Sequence, residues 1–244
     1  KEQIEEVRQL SNRRITTDML VSLRNGLEGH TCGESTYVTD KEGFDVILLK
    51  ERNIVAKAPW SSSGRGIRYF FDGKATENAC NWTANTIRNQ GGIMVEPIYN
   101  KVKDFGAEFV RNSDGTVHFL GLSLFETRSG AYTGSLLAAE EAKREIISRF
   151  IDLDLFDEML LRLERELSSV LAPLGNLSIC LGVDMMIVAK KEDGGFLVNP
   201  CVEVNLRRTM GLVALDISSK INCRQGFMSV SYDNKKYHLR VTNC

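Results

Sequence analysis

The stretch GVDMMIVAKKEDGGFLVNPCVEVNLRR, from Gly182 to Arg208, constrains the fold of this chain more than any other. Two apolar runs flank Asp193-Gly194, the pair favoured in a two-residue type I′ turn, so the stretch reads as an antiparallel hairpin. With that turn Glu192 faces Gly195, and counting outward without a bulge sets Asp184 directly opposite Glu203. Strand side chains alternate, so Glu203, Asn205 and Arg207 share one face while Val202, Val204 and Leu206 share the other. Facing carboxylates repel across a sheet unless a cation lies between them. Hard oxygen ligands suit Mg²⁺, which keeps waters and completes its octahedron with substrate phosphates. A solvated outer face would carry the same alternation. The coincidence of two carboxylates in register favours the metal reading.

A second segment, IVAKAPWSSSGRG from Ile54 to Gly66, puts Lys57 near the end of a strand and follows it with small residues. Such a loop can fold its backbone N–H groups over phosphates while the lysine supplies a point charge. A flexible hairpin tip beside a surface lysine fits the segment equally well. It is no Walker A loop, because Gly64-Arg65-Gly66 has no Lys-Ser/Thr after it. A lysine at a strand end is expected to be accessible in the empty protein, so that removing it spares the fold.

The rest of the chain supplies a frame for these pieces. Glu2 to Leu27 has helical periodicity, Ile67 to Phe71 reads as a strand, and a helix around Thr83 to Arg88 stops at Gly91-Gly92. Strands follow at Ile93 to Tyr99, Gly106 to Arg111 and Val117 to Glu126, the last two joined by a turn at Asp114-Gly115. One long amphipathic helical stretch covers Glu140 to Leu171, and a final hairpin runs from Phe227 to Val241. The sum is an α+β protein. With 244 residues, 43% hydrophobic and 26% charged, one domain of two lobes can bury a substantial core.

Charge and composition exclude several functions. A formal net charge of −1 gives no global basic field for nucleic acid or an anionic membrane, so phosphate recognition must be local. The six cysteines form no C-x-x-C pair, which favours a reducing, cytoplasmic compartment. No apolar run reaches the roughly 20 residues that span a bilayer. His30, His118 and His238 stand in no G-x-S-x-G or H-E-x-x-H context. Asp104-Phe105-Gly106 spells a kinase triplet, but the glycine loop follows Lys57 instead of preceding a strand lysine, and no H-R-D occurs.

In order along the chain, VAKAPWSSSGRG, MVEPIYNKVKDF, GVDMMIV and PCVEVNLRR resemble the motifs of the ATP-grasp superfamily. These are a lysine-bearing strand before a small-residue loop, a V-E-x hinge, an acidic strand residue and an E-x-N motif. The resemblance runs from about Leu10 to about Leu215 and is closest to bacterial ATP-grasp proteins with a glutathione-synthetase- or biotin-carboxylase-like region. It implies an α+β ATP-grasp fold, two α+β lobes whose antiparallel sheets grip the nucleotide. Residues 1–34 would be a helical lead-in packed on the large lobe, 35–95 the small lobe with the phosphate lid, and 96–244 the large lobe with hinge and metal site. A further domain upstream of the early helix is also implied.

The resemblance assigns roles residue by residue. Lys57 would contact the α- and β-phosphates of ATP, and Ser61, Ser62, Ser63, Gly64 and Gly66 would form the lid over them. Glu96, Pro97, Ile98 and Tyr99 would be the adenine hinge, and Asp104 the ribose contact. Asp184, Glu203 and Asn205 would hold Mg²⁺, with Mn²⁺ as an alternative ion, and Arg207 would steady the γ-phosphate or an acyl-phosphate. Arg128, in FETRSGAYTG, is either a contact to the transferred phosphate or an arginine on a surface loop. The family's first lysine is replaced in LSNRR by Arg13 or Arg14. The implied activity is an ATP- and Mg-dependent ligase that activates a small-molecule or peptide acid as an acyl-phosphate for attack by an amine or other nucleophile. A phosphotransferase and a non-catalytic nucleotide-binding module are the alternatives.

Overall fold

The computed structural model describes residues 2–61, 66–128, 131–191, 194–220 and 225–243. Their strands form three four-stranded sheets, every pairing antiparallel.

The first sheet belongs to a small lobe and has the order β1-β4-β2-β3, with β1 Thr36–Val38, β2 Ile54–Lys57, β3 Ile67–Phe70 and β4 Ile93–Pro97. One face, made by Val38, Ile54, Ala56, Phe70, Ile93 and Val95, packs with Phe44 and Leu48 of α3 (Lys41–Glu51) and against α4 (Glu77–Gln90). Asp40 and Thr76 start these helices by accepting the N–H of Gly43 and Ala79. Alternation turns Val55, Lys57, Met94 and Glu96 to the opposite face, and all four are buried there too.

In the second sheet, of order β10-β9-β5-β6, the strands are β5 Lys101–Arg111, β6 Val117–Ser123, β9 Ile179–Ala189 and β10 Phe196–Asn205. Val204, Val183, Ala107 and Leu122 lie side by side across its core face. They join the main core with Met19, Leu20 and Leu23 of α2 (Arg14–Arg24) and with Phe156, Met159, Leu160, Leu163 and Leu167 of α6 (Leu153–Val170). The helical stretch read as continuous from Glu140 is two helices. After α5 (Glu140–Ile147) the chain breaks, and Asp152 restarts it by accepting the N–H of Asp154 and Leu155. Likewise the strand read over Val117 to Glu126 leaves this sheet after Ser123.

Its continuation is β7 (Phe125–Arg128) in the third sheet, of order β12-β11-β8-β7, with β8 Ala131–Ala138, β11 Gln225–Asp233 and β12 Lys236–Asn243. Met228 and Leu137 of this sheet pack with Ala214 of α7 (Met210–Ser218). Residues 98–100 carry the chain from the small-lobe sheet to β5.

The lead-in touches both lobes. While α2 packs in the large-lobe core, its Thr17 hydroxyl donates to Met94 Sδ at 3.7 Å and the Arg14 guanidinium lies 5.2 Å from the Tyr37 ring. Trp60 Nε1 donates to the Arg8 carbonyl of α1 (Glu2–Leu10) at 2.9 Å. Among the described residues, no helix is long and apolar enough to cross a membrane.

The β9–β10 hairpin differs from its expected form in a way that cancels. Lys190 N donates to Gly195 O at 2.9 Å, and Phe196 pairs with Ala189, so the tip is two residues off the Asp193-Gly194 count. Asp193 itself lies outside the described residues. A bulge between Asn199 and Glu203, absent from the expectation, then restores the register. Its cause is local: Pro200 has no N–H to pair, and Asn199 Oδ1 accepts from Cys201 N at 3.1 Å. Beyond the bulge Glu203 faces Asp184, as the uncorrected count had it.

Candidate functional site

On the face of the large-lobe sheet turned away from the core, Glu203, Asp184, Gly106 and Ser123 form one row across four strands. Asn205, Gly182, Glu108 and Gly121 form the next. Asn205 Nδ2 donates to Asp184 Oδ2 at 3.2 Å, and Arg207 Nη2 donates to Asn205 Oδ1 at 2.9 Å. Loss of hydration first, then the charges of Glu203 and Glu108, raise Asp184 to a pKa of about 7. Among the described residues no group of three or more His, Cys, Asp or Glu side chains gathers as a cage. A cation here would rest on two carboxylates and an amide, with a substrate completing the shell, which is how Mg²⁺ is commonly held. The donor set fits that ion.

Glu203 already has a cationic neighbour. Arg13 Nη2 donates to Glu203 Oε1 at 2.8 Å, with side-chain exposures of 5% for the arginine and 29% for the glutamate. The same guanidinium reaches the small lobe through Nη1, which donates to Ala58 O at 2.7 Å and to Ser61 Oγ at 2.5 Å. Arg13 N also donates to Pro59 O at 3.0 Å. Of the two arginines in LSNRR, Arg13 is thus the one at the carboxylates, while Arg14 lies over Tyr37.

The Lys57 side chain is not free at a strand end, contrary to expectation. Its Nζ donates to Glu96 Oε2 at 2.7 Å, with only 9% and 10% of the two side chains exposed. In the β2–β4 register Lys57 faces Met94 and Glu96 faces Val55, so the pair is diagonal on the inner face of the sheet. Glu96 and Pro97 are therefore strand residues of β4, and Glu96 is the counter-ion of Lys57. Wholly buried Cys201 connects the two acidic regions: burial pushes its thiol far up, and the charges of Asp184, Glu96, Lys57 and Glu203 all act on it.

The other residues singled out in the sequence lie apart from this cluster or outside the description. Ser62, Ser63 and Gly64 are not among the described residues. Gly66 closes the base of their loop, its carbonyl accepting from Ala58 N at 2.8 Å. Ile98 N donates to Asn53 O at 3.1 Å. The Tyr99 hydroxyl donates to Glu34 Oε2 and accepts from the N–H of Gly33 and Glu34. Asp104 is paired with Lys101 at 2.6 Å. Arg128 is exposed at the end of β7, with no bond to the carboxylate cluster.

Glu108 escaped the sequence reading. It is 3% exposed and accepts from Ser123 Oγ at 2.8 Å and from Thr209 Oγ1 at 2.6 Å, while burial raises its pKa. Thr209 also accepts the Leu212 N–H as the N-cap of α7, so Glu108 anchors that helix to the sheet. The only signal was a lone carboxylate inside the apolar run FGAEFV. Close approach is obligatory, because a Cβ on Gly211 would overlap Glu108 Oε1 and stand 2.5 Å from Ser123 Oγ. Gly211→Ala is accordingly expected to cost about 1–3 kcal/mol as overpacking. Urea unfolding followed by circular dichroism measures it, and an unchanged midpoint would remove Glu108 as the anchor of α7.

A groove of about 700 Å³ lies elsewhere, lined by residues including Thr17, Arg24, Glu28, Glu34 and Thr36. None of these belongs to the carboxylate cluster.

No family model and no curated protein matches the chain. Solved structures do. Biotin carboxylase from Campylobacter jejuni, in a βγ-ATP complex, aligns with a TM-score of 0.59 over 95% of this chain and 53% of its own, at 13% identity. N5-carboxyaminoimidazole synthetase from Staphylococcus aureus complexed with ADP gives 0.56 over 93% of this chain and 58% of its own, at 12% identity. The biotin carboxylase domain of Hydrogenobacter thermophilus 2-oxoglutarate carboxylase, complexed with MgADP, ADP and bicarbonate, gives 0.53 over 91% and 50%, at 11% identity. This chain therefore spans between 50% and 58% of those chains. At such identities the likeness is one of fold, and the fold is ATP-grasp.

Proposed function

We propose that the chain is the nucleotide-binding catalytic part of an ATP- and Mg-dependent ligase that activates a carboxylate as an acyl-phosphate. The observation that carries this reading is the placement of Asp184 opposite Glu203, with Asn205 beside them, on one face of an ATP-grasp sheet. A bound Mg²⁺, or Mn²⁺ in its place, would neutralise charge on the phosphates of ATP. The small lobe with its lid and the large lobe with its carboxylates form the two sides of the nucleotide cleft in this reading, and the lead-in spans them.

In the first step a carboxylate oxygen of the acid attacks the γ-phosphorus and ADP departs; in the second, an amine or other nucleophile attacks the acyl carbon and phosphate departs. Positioning and charge neutralisation dominate such chemistry. Lys57 would face the α- and β-phosphates after exchanging Glu96 for them, and Arg207 would steady the γ-phosphate or the acyl-phosphate. Glu96 to Tyr99 would border the adenine, and Asp104 the ribose. Arg128 is a further cation for the transferred phosphate. The substrate is a small-molecule or peptide acid, an upstream domain would help shape its site, and the compartment is cytoplasmic. Neither nucleic acid nor membrane is a partner in this reading.

Hydroxylamine trapping tests it. Incubated with Mg-ATP, hydroxylamine and a panel of carboxylic acids, the protein should form a hydroxamate with some acid in step with ADP release. Phospho-substrate that hydroxylamine does not trap would point to a phosphotransferase, and tight Mg-ATP binding without ADP across the panel would point to a binding module.

A further inference from the structure

The side chain of Arg13 joins three parts of the molecule that lie 45 to 190 residues apart in sequence. It extends from the start of α2, binds Ala58 and Ser61 at the base of the phosphate loop, and holds Glu203. Arg13 is 5% exposed, and its buried Nε–H has no partner among the described residues. A guanidinium presents its donors in a rigid planar fork, which suits it to serve acceptors on two lobes at once, whereas a lysine offers a compact point charge on a flexible stem. Around it the inner face of the small-lobe sheet is covered: Val55, Lys57, Met94 and Glu96 are each 8% exposed or less. A nucleotide that used this face would need the lobes to part, and the Arg13 bonds cross the place of parting.

We propose that Arg13 is an interlobe latch, a tethered cation that occupies Glu203 in the ligand-free protein and is exchanged for the divalent ion when Mg-nucleotide binds. The inference rests on the proposed metal site and adds to it a regulation of that site. In the ligand-free protein Glu203 faces Asp184, and the Arg13 charge offsets their repulsion while the fork ties the lobes together. A metal ion takes over the charge, so it competes with Arg13 for the carboxylate. Released from Glu203, the fork keeps its bonds to Ala58 and Ser61. Arg13 is thus a positioning residue that acts through Glu203.

The test uses Mn²⁺ alone as the probe, without nucleotide, titrated by electron paramagnetic resonance into wild type, Arg13→Met, Glu203→Gln and the double variant. Removing one charge close to the site should tighten Mn²⁺ on the order of tenfold in Arg13→Met, while Glu203→Gln abolishes the site in either background. The melting temperature of ligand-free Arg13→Met should fall, and its loss on removal of Glu203 in the double variant should be smaller. A purely structural Arg13 would lower the melting temperature and leave Mn²⁺ affinity the same or weaker, which overturns the latch. Undiminished Mn²⁺ binding in Glu203→Gln would instead overturn the metal-site reading itself, so the two failures are distinct. Should Arg13→Met not fold, Arg13→Lys, which keeps the charge but loses the fork, should tighten Mn²⁺ about threefold through its weakened hold on Glu203. Unchanged affinity there overturns the latch equally.

Discussion

Lys57→Ala is expected to lower the unfolding free energy by about 3–5 kcal/mol, the cost of leaving a buried charge without its partner. Lys57 and Glu96 are 9% and 10% exposed and 2.7 Å apart, so neither carboxylate nor ammonium has ready access to water. Truncation at position 57 strands Glu96 among Val55, Met94 and the wholly buried Cys201, with no other cation bonded to it in the described structure. Replacing both partners by apolar residues of similar volume, Lys57→Met with Glu96→Leu, should recover most of the loss, because the desolvation cost goes together with the attraction. Chemical denaturation of the single and double variants measures both numbers, and a lysine that merely awaits phosphate at a free strand end would give a single variant as stable as wild type. The pair also bears on function. If Lys57 is to meet a phosphate, that phosphate must outcompete Glu96, so Glu96→Gln should tighten nucleotide binding where Lys57→Ala weakens it.

This pair shows which parts of the site the sequence could reveal. Strand alternation made Asp184, Glu203 and Asn205 legible, because a hairpin relates residues that are near in sequence and the period of two leaves few choices. Even so, the register survived only because the loop offset and the bulge at Pro200 cancelled. The Lys57–Glu96 contact was not legible: β2 and β4 are neighbours in the sheet, but β3 and α4 intervene along the chain. The sequence left Arg13 and Arg14 as alternatives for the replaced lysine, because the bond that distinguishes them, from Arg13 to Glu203, spans 190 residues and depends on both lobes. In the small lobe, β1 has three residues, too few for a period, and α3 leaves Val46 and Leu49 exposed while burying Phe44 and Leu48. Its stripe is too weak to announce a helix. Helix α7, MGLVALDIS, is apolar on most of its surface because two sheets enclose it, so it too has no stripe to read.

Asp184→Asn is expected to make the ligand-free protein more stable above pH 7 while removing Mg-dependent nucleotide binding. The folded carboxyl titrates near pH 7, against about 3.9 for an unfolded aspartate. Between those values the folded protein holds a proton that the unfolded chain has released, so stability falls as pH rises through the window and stays lower above it. The causes are the lost hydration of Asp184 and the nearby charges of Glu203 and Glu108, and an asparagine escapes all of them. The amide oxygen of the substituted side chain would still accept the Asn205 amide hydrogen, so the packing of the pair is retained. At pH 8 the variant should exceed wild type by roughly 1–3 kcal/mol, and at pH 5 the gap should be much smaller, closing fully only below about pH 4, where the unfolded aspartate is protonated as well. Urea midpoints of both proteins at the two pH values measure the difference. A gap that is the same at pH 5 and pH 8 would mean that Asp184 titrates normally and that its carboxylate is well solvated. The binding experiment supplies the second sign: wild-type Mg-ADP affinity, followed by calorimetry, should weaken as pH falls below 7 because the proton competes with the metal for Asp184. In Asp184→Asn the affinity should be low and flat across that range. A variant that gains stability at pH 8 and loses Mg-ADP together would mark Asp184 as a carboxylate kept at the expense of the fold for the sake of a cation.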